Sequence, residues 1–455
     1  MTSSKAIENI NLDRLADFYQ LTQDVLHLAI QQGATQAEVA VSMDTGLSTT
    51  VRSGEVETLE FHREQGVGIT VFFGKRKGIA SSSDINMAAI EETVKAACNI
   101  AQFTMPDECA GLADPELMAY EYPDLDLYHP WAISPEEAIA IATECETAGR
   151  KIDKRITNSE GASLNTHEGI HVYGNTHGFI GGYPTSRYTL SCVLIGEHQG
   201  NMQRDYWYTI SRDGRKLESA KLVAQRAAER TLARLGARKI KTGKYPILFQ
   251  ADAARGLLGS FISAIQGNSL YRNASFLVDT LGKQVFAPWV NIEEHPLLPG
   301  ALASAPFDAE GVRTKPKSVV IDGVLQSYIL SSYSARKLNM TTTGNAGGVH
   351  NLFIKPDGKS GNQDLSALLK QMGTGILVTE LMGQGTNIIT GDYSRGAVGF
   401  WVENGVIQYP IEEFTIANNL KDMFLNLIAV GNDIDTRSGI HTGSWLLDTM
   451  TVAGE

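Results

Sequence analysis

The chain has 455 residues, 43% of them apolar and 20% charged, with a formal net charge of −12; this length exceeds what one hydrophobic core usually organises, so two or more domains are expected, without disulfide staples. The negative balance opposes a phosphate backbone, and the one compact basic cluster, Lys75-Arg76-Lys77 between Gly74 and Gly78, reads as a solvated hairpin tip, so no nucleic-acid partner is expected. Met1 to Ile10 lacks a secretory core, no apolar run approaches the roughly 20 residues that cross a bilayer, and Cys98, Cys109, Cys145 and Cys192 show no Cys-x-x-Cys spacing, which predicts a cytoplasmic protein with reduced cysteines and no membrane contact.

Along the chain, Leu12 to Gln32 has apolar residues at helical spacing, with Gly33 as the stop. Glu38 to Ser83 reads as short strands broken by Gly46, Gly54, Gly66, Gly74 and Gly78, and Met87 to Phe103 returns to helical spacing. Pro and acidic residues make Met105 to Pro130 an irregular connector. Ser134-Pro135-Glu136-Glu137 supplies an N-cap, a first-turn proline and early acids for a helix to about Arg150; strands follow to Ile210, and a helix over Arg215 to Leu235 closes the unit. The two helix, sheet, helix units, about 12–103 and 134–235, read as a repeat or an ordinary alternation sharing one sheet.

The basic linker Arg238 to Lys244 marks the main boundary. The expected class is therefore α+β: an N-terminal domain, 1–241, with helices packed on a largely antiparallel sheet, and a C-terminal domain, 242–455, rich in β-hairpins with a short helix near its start. There, Ile247 to Phe249 reads as a strand, Ala251 to Ile265 as the helix, and Asp322-Gly323 and Asn404-Gly405 as hairpin turns.

His167-Glu168-Gly169-Ile170-His171 satisfies the zincin pattern His-Glu-x-x-His, which needs a helix to bring both imidazoles to one ion. Leu164, Ile170 and Val172 share one parity while His167, His171 and Tyr173 share the other, which is strand spacing. In a strand the two Cα atoms stand about 13 Å apart, too far for one shared zinc. The pentad therefore reads as two polar-face histidines, unless distant ligands such as His177, His198, His350 or His441 join them.

The glycine-punctuated block Met372 to Gly405 and the later Ala429-Val-Gly-Asn-Asp-Ile-Asp435 carry a family likeness. They resemble the C-terminal domain of the TldD/PmbA metallopeptidase family, once labelled modulators of DNA gyrase, and Tyr328 to Leu338, Gly344 to Asn351 and Glu380 to Gly405 are most similar to its PmbA, or TldE, branch. The likeness runs from about Val39 to the C-terminus. It implies a subunit of a heteromeric peptidase that processes or degrades unfolded peptides and small proteins. TldD-type members carry His-Glu-x-x-x-His on the first helix of this domain and a late cysteine ligand. In the register set by Gly256-Leu-Leu those positions fall here on Gly259, Ser260 and Ala264, and the cysteine on Thr442, or on His441 after a one-residue shift. The resemblance thus implies vacated metal positions, no catalytic residue or cofactor in this chain, and zinc in a TldD-type partner. A bland reading of the same small residues, with Ser263, is a helix face packed closely on a neighbouring sheet or subunit.

No nucleophile elbow, phosphate loop, dinucleotide turn or EF-hand loop occurs. Glu293-Glu294 beside His295, and Glu412-Glu413, read as solvated acids. Gly383, Gly385, Asp392, Ser394 and Arg395 are candidates for an extended-peptide groove, against a plain hairpin with an ion pair and turn hydroxyl. A function of a different class is also open: a non-proteolytic scaffold, homodimeric when alone, that modulates a regulator.

Overall fold

The computed structural model of this chain describes residues 13–356 and 363–455. Met1 to Ile10, read above as lacking a secretory core, and Leu12, read as opening the first helix, lie outside them. Helix α1 (Asp13–Gln31) ends before Gly33, whose φ of +90° suits a residue without a Cβ. It leads into β1 (Gln36–Arg52), β2 (Glu55–Phe73) and β3 (Arg76–Ser82), then α2 (Met87–Phe103). The second unit is α3 (Pro135–Lys151), β4 (Ile156–Asn175), β5 (Ile180–His198), β6 (Asn201–Ser211) and α4 (Ala220–Ala233). Ser134 and Glu137 form the capping box of α3, closing orphan amides at the point where the sequence places its start.

The first three strands are longer than the sequence reading expected. Gly54 and Gly74 turn the chain, but Gly46, Gly66 and Gly78 sit inside strands. Gly46 and Gly78 are there for close approach: a Cβ on Gly46 would fall 2.2 Å from the Thr166 carbonyl, and one on Gly78 would fall 2.0 Å from the Ala97 carbonyl of α2.

All six strands join one antiparallel sheet in the order β3-β2-β1-β4-β5-β6. Because β1 and β4 are central and antiparallel, the two helix, three-strand, helix units lie on either side of an approximate two-fold. Helices α1 and α2 cover Val39, Val41, Ile69 and Val71, while α3 and α4 cover Leu164, Leu190 and Cys192. The connector after α2 is irregular, as its composition predicted, and crosses to the second domain: Arg336 donates to the carbonyls of Cys109, Gly111 and Leu112.

The C-terminal domain continues with β7 (Gly243–Phe249), α5 (Ala251–Ile265), α6 (Gly267–Tyr271), β8 (Ile292–Glu294), β9 (Lys317–Ile321), β10 (Val324–Leu325), α7 (Ser332–Lys337) and β11 (Leu352–Ile354). It ends with α8 (Leu365–Met372), β12 (Gly375–Met382), β13 (Asp392–Glu403), β14 (Val406–Asn419), α9 (Leu420–Leu425), β15 (Leu427–Val430), β16 (Ile440–His441) and β17 (Trp445–Ala453). Asp322-Gly323 and Asn404-Gly405 turn with positive φ at both residues, as hairpins of this type require. One sheet runs β10-β9-β8-β11-β16; the other runs β14-β13-β12-β7-β17-β15, and an added β14–β17 pairing closes five of its strands into a ring. Helix α5 lays Leu257, Leu258, Phe261 and Ile262 into the main core with Phe286, Phe424 and Trp445.

Candidate functional site

Helix α5 is apolar on one side only. Its other side carries Arg255, Gly256, Gly259, Ser260 and Ser263, at the three- and four-residue spacing that makes one stripe. A Cβ added at Gly256 or Gly259 would meet nothing within 4 Å. The close packing expected of this face is therefore not made within the chain, because the helix is held by its apolar side alone. The stripe opens instead onto a cleft of about 510 Å³ between the domains, walled by Tyr206 of β6, by Thr379, Glu380 and Leu381 of β12, by Arg395 of β13 and by Ser438 to Ile440.

One wall offers free backbone. Strand β12 pairs with β7 only as far as Val378, opposite Phe249, where β7 gives way to α5. Thr379 to Met382 extend beyond that point, and among the described residues nothing pairs with that edge.

A charged network fixes the cleft between the domains. Arg230 of α4 holds Asp205 of β6 at 3.0 Å and Asp252 of α5 at 3.4 Å. Arg234 reaches Asp205 at 3.4 Å and Glu380 at 2.5 Å. Asp435 takes both Nε and Nη2 of Arg437 and also faces Arg255 at 3.4 Å. Burial works to raise the Asp435 carboxyl, but the Arg437 bonds and the Arg255 charge outweigh it and hold it below its ordinary value. For Asp252 burial wins and its carboxyl is pushed up, Arg230 and Arg437 notwithstanding. The string ending at Asp435 is thus a clamp: Asp433 accepts from the amide and hydroxyl of Ser444, and Asp435 binds the arginines that tie it to β6.

Of the four positions that the family resemblance assigns to zinc ligands, Gly259 and Ser260 lie on the open stripe and Ala264 and Thr442 are buried, and their side chains do not fit the ion. Gly259 has none, the Ser260 hydroxyl donates to the Gly256 carbonyl, and Ala264 is a buried methyl. Thr442 is fully buried, donating to the Gly443 carbonyl and accepting from Trp445 Nε1. His441 stacks on Phe353 at 4.2 Å and 6° between planes. Neither of its ring nitrogens has a hydrogen-bond partner among the described residues, and burial holds its pKa below the usual value. Among the described residues no group of three or more His, Cys, Asp or Glu is arranged to hold a metal ion.

The zincin-like pentad lies in β4, as its parity predicted. His167 and His171 share a face with Gly169 between them, and the Asp44 carboxylate fills the space over that glycine, 3.3 Å from His167 Nε2. Burial lowers both imidazole pKa values. Glu168 points the other way and accepts from the hydroxyls of Tyr128 and Tyr188, which fastens the connector to the sheet.

Of the suggested groove residues, Arg395 lines the cleft. Asp392 and Ser394 lie on the opposite parity of β13; Asp392 is exposed and bonded to Thr390 and Asn419. Gly383 turns the chain at φ +77°, and Gly385 packs onto the Ser394 carbonyl, where a Cβ would stand 1.5 Å away. Sequence reasoning missed Tyr206, Asp252, Glu380 and the arginines of α4. Only the aromatic run Tyr206-Trp207-Tyr208 could have signalled a wall.

Residues 37–101, 128–235 and 242–454 match the PmbA/TldA metallopeptidase domain 1, central domain and C-terminal domain respectively. The Metalloprotease PmbA of Escherichia coli O157:H7 is 54% identical over 92% of each chain. A Metalloprotease PmbA homolog of Haemophilus influenzae is 49% identical over 99% of this chain and 100% of its own. The crystal structure of a protein described as a modulator of DNA gyrase from Bacteroides thetaiotaomicron superposes with a TM-score of 0.90, at 27% identity, over 96% of this chain and 99% of that one. By these domain matches and this identity, the chain belongs to the PmbA/TldD metallopeptidase family.

Proposed function

We propose that this chain is the PmbA (TldE)-type subunit of a cytoplasmic metallopeptidase complex, holding extended peptide in the cleft over α5 while a TldD-type partner supplies the zinc. The observation that carries this reading is the open stripe of α5, where Gly259 and Ser260 stand at positions that the family resemblance assigns to zinc ligands and the space above Gly256 and Gly259 is empty of side chains. The free edge of β12 over Thr379 to Met382 supports it further: backbone amides and carbonyls there can pair with an unfolded substrate without demanding a particular sequence. No step of hydrolysis is assigned to residues of this chain. Its part is to bind, align and enclose.

The test is coexpression with a TldD-type partner, followed by peptidase assay of the copurified complex and metal analysis of each subunit. Cleavage by the complex with zinc in the partner supports the reading; a stoichiometric but fully inactive complex would sink it.

A non-proteolytic homodimeric scaffold draws on a different feature. Beyond its pairing with β3, which starts at Val67, the outer edge of β2 is uncovered among the described residues, and Val56, Leu59 and Phe61 of this strand are exposed. Finding only the homomer in native lysate, with no TldD-type protein attached, would favour that alternative.

A further inference from the structure

The charges around the cleft are matched with one exception. Asp252 and Glu380 are taken by Arg230 and Arg234, and Arg255 by Asp435. Arg395 has no carboxylate partner among the described residues. Its Nη2 donates to the Leu381 carbonyl at 3.4 Å, which turns the guanidinium toward the end of β12, and its Nε is buried with no acceptor. Two residues back on the same face of β13, the buried Tyr393 hydroxyl also lacks a partner. The two groups sense each other: burial pushes the Tyr393 phenol up and the Arg395 charge pulls it part of the way back. Leaving donors unfilled is costly, and Arg395 on the wall of the cleft, with the buried Tyr393 hydroxyl behind it, lacks an acceptor that carries negative charge.

We infer that Arg395, backed by Tyr393, is a carboxylate-binding subsite in the α5 cleft that fixes the polarity of the bound peptide by taking a carboxylate group. The inference rests on the peptide-cleft reading above and adds to it a definite chemistry. The guanidinium presents a planar fork matched to a carboxylate, where a lysine would offer only a point charge. The subsite lies beside the free edge of β12, so a strand paired there brings its end, or an acidic side chain, to Arg395. Tyr206 lines the same cleft. A peptide C-terminus and an internal Asp or Glu share this chemistry, and the experiment separates them.

The experiment measures binding of three labelled, unstructured peptides of equal length to the full-length chain: one with a free C-terminus and no internal acid, one with an amidated C-terminus and no acid, and one amidated with a single internal Glu. Each is measured with the native chain and with Arg395→Gln, Arg395→Lys and Tyr393→Phe. We expect the free-terminus peptide to bind the native chain more tightly than the neutral one, and Arg395→Gln to remove that advantage, about tenfold or more, while leaving the neutral peptide within about twofold. Arg395→Lys recovers part of the loss, which a role in folding alone would not produce. If the internal Glu peptide shows the advantage instead, the carboxylate comes from a side chain and the subsite stands. If all three peptides bind equally, or Arg395→Gln weakens all three alike, the subsite is refuted while the peptide cleft survives. If none binds, both fall.

Discussion

The Arg437 guanidinium lies over the Trp207 indole, 3.9 Å from Cζ to the ring centroid, so a cation from the C-terminal domain rests on an aromatic from the N-terminal sheet. The same guanidinium holds both oxygens of Asp435, which Arg255 also approaches. Asp435→Ala leaves two cations without their carboxylate and is expected to cost about 3 kcal/mol, read as a lower urea midpoint with unchanged slope. Arg437→Lys is expected to be destabilising too, since an ammonium cannot grip Asp435 in two places and cover Trp207 at once. An effect within about 0.5 kcal/mol for Asp435→Ala would show that the clamp is not holding the domains together.

His441 buries two ring nitrogens without partners against Phe353. Replacing it with a phenyl ring of similar shape removes the desolvation cost, so His441→Phe is expected to leave stability unchanged or raise it by about 1 kcal/mol in chemical unfolding. A clear loss of stability in the variant, with added zinc stabilising the native chain and not the variant, would instead mark His441 as a ligand.

Space around the backbone gives opposite expectations for two glycines, one in the open stripe and one in β13. Gly259 stands in mid-helix with space around it, so Gly259→Ala is expected to stabilise the chain by up to about 1 kcal/mol. Gly259→Trp should fold but occlude the cleft and lose peptide binding. In β13, a Cβ on Gly399 would stand 1.9 Å from the Leu377 carbonyl, and Gly399→Ala is expected to destabilise by about 1–3 kcal/mol. Thermal unfolding of the three variants checks the signs together.

Asp107 ties the connector to α7. It accepts from Tyr333 at 2.7 Å, from the Cys109 amide at 3.0 Å and from Lys337 at 2.9 Å, and these bonds lower its carboxyl from 3.8 to about 2. A carboxyl depressed in the folded state adds stability that is present above its unfolded pKa and lost as pH falls through its folded one. The stability difference between the native chain and Asp107→Asn should therefore be full near pH 6 and shrink below about pH 4. A difference that stays constant across that range would contradict the linkage.

Local chemistry was legible in the sequence, and assembly across the chain was not. The bounds of α5 and the Ser134 cap of α3 could be read because helical spacing and capping act within a turn or two. The strand character of His167 to His171 followed from parity together with the turn residues that flank it, Asn158 to Gly161 and Gly174-Asn175. Strands β1 and β2 were underestimated because interior glycines look like breaks until the crossing partner, here the Thr166 carbonyl and α2, is known. The cleft was illegible for a deeper reason: Tyr206, Gly256, Glu380, Arg395 and Gly439 come from five separate segments. Arg234 meets its partner Glu380 across 146 residues, a pairing that no local pattern encodes.

The central claim, a peptide cleft whose zinc comes from another subunit, is tested most directly by measuring zinc content and peptidase turnover for the isolated full-length chain and for its complex with a TldD-type partner. Substoichiometric zinc and no turnover are expected in the isolated chain, with turnover in the complex that is lost on chelation. Stoichiometric zinc and cleavage by the isolated chain would contradict it.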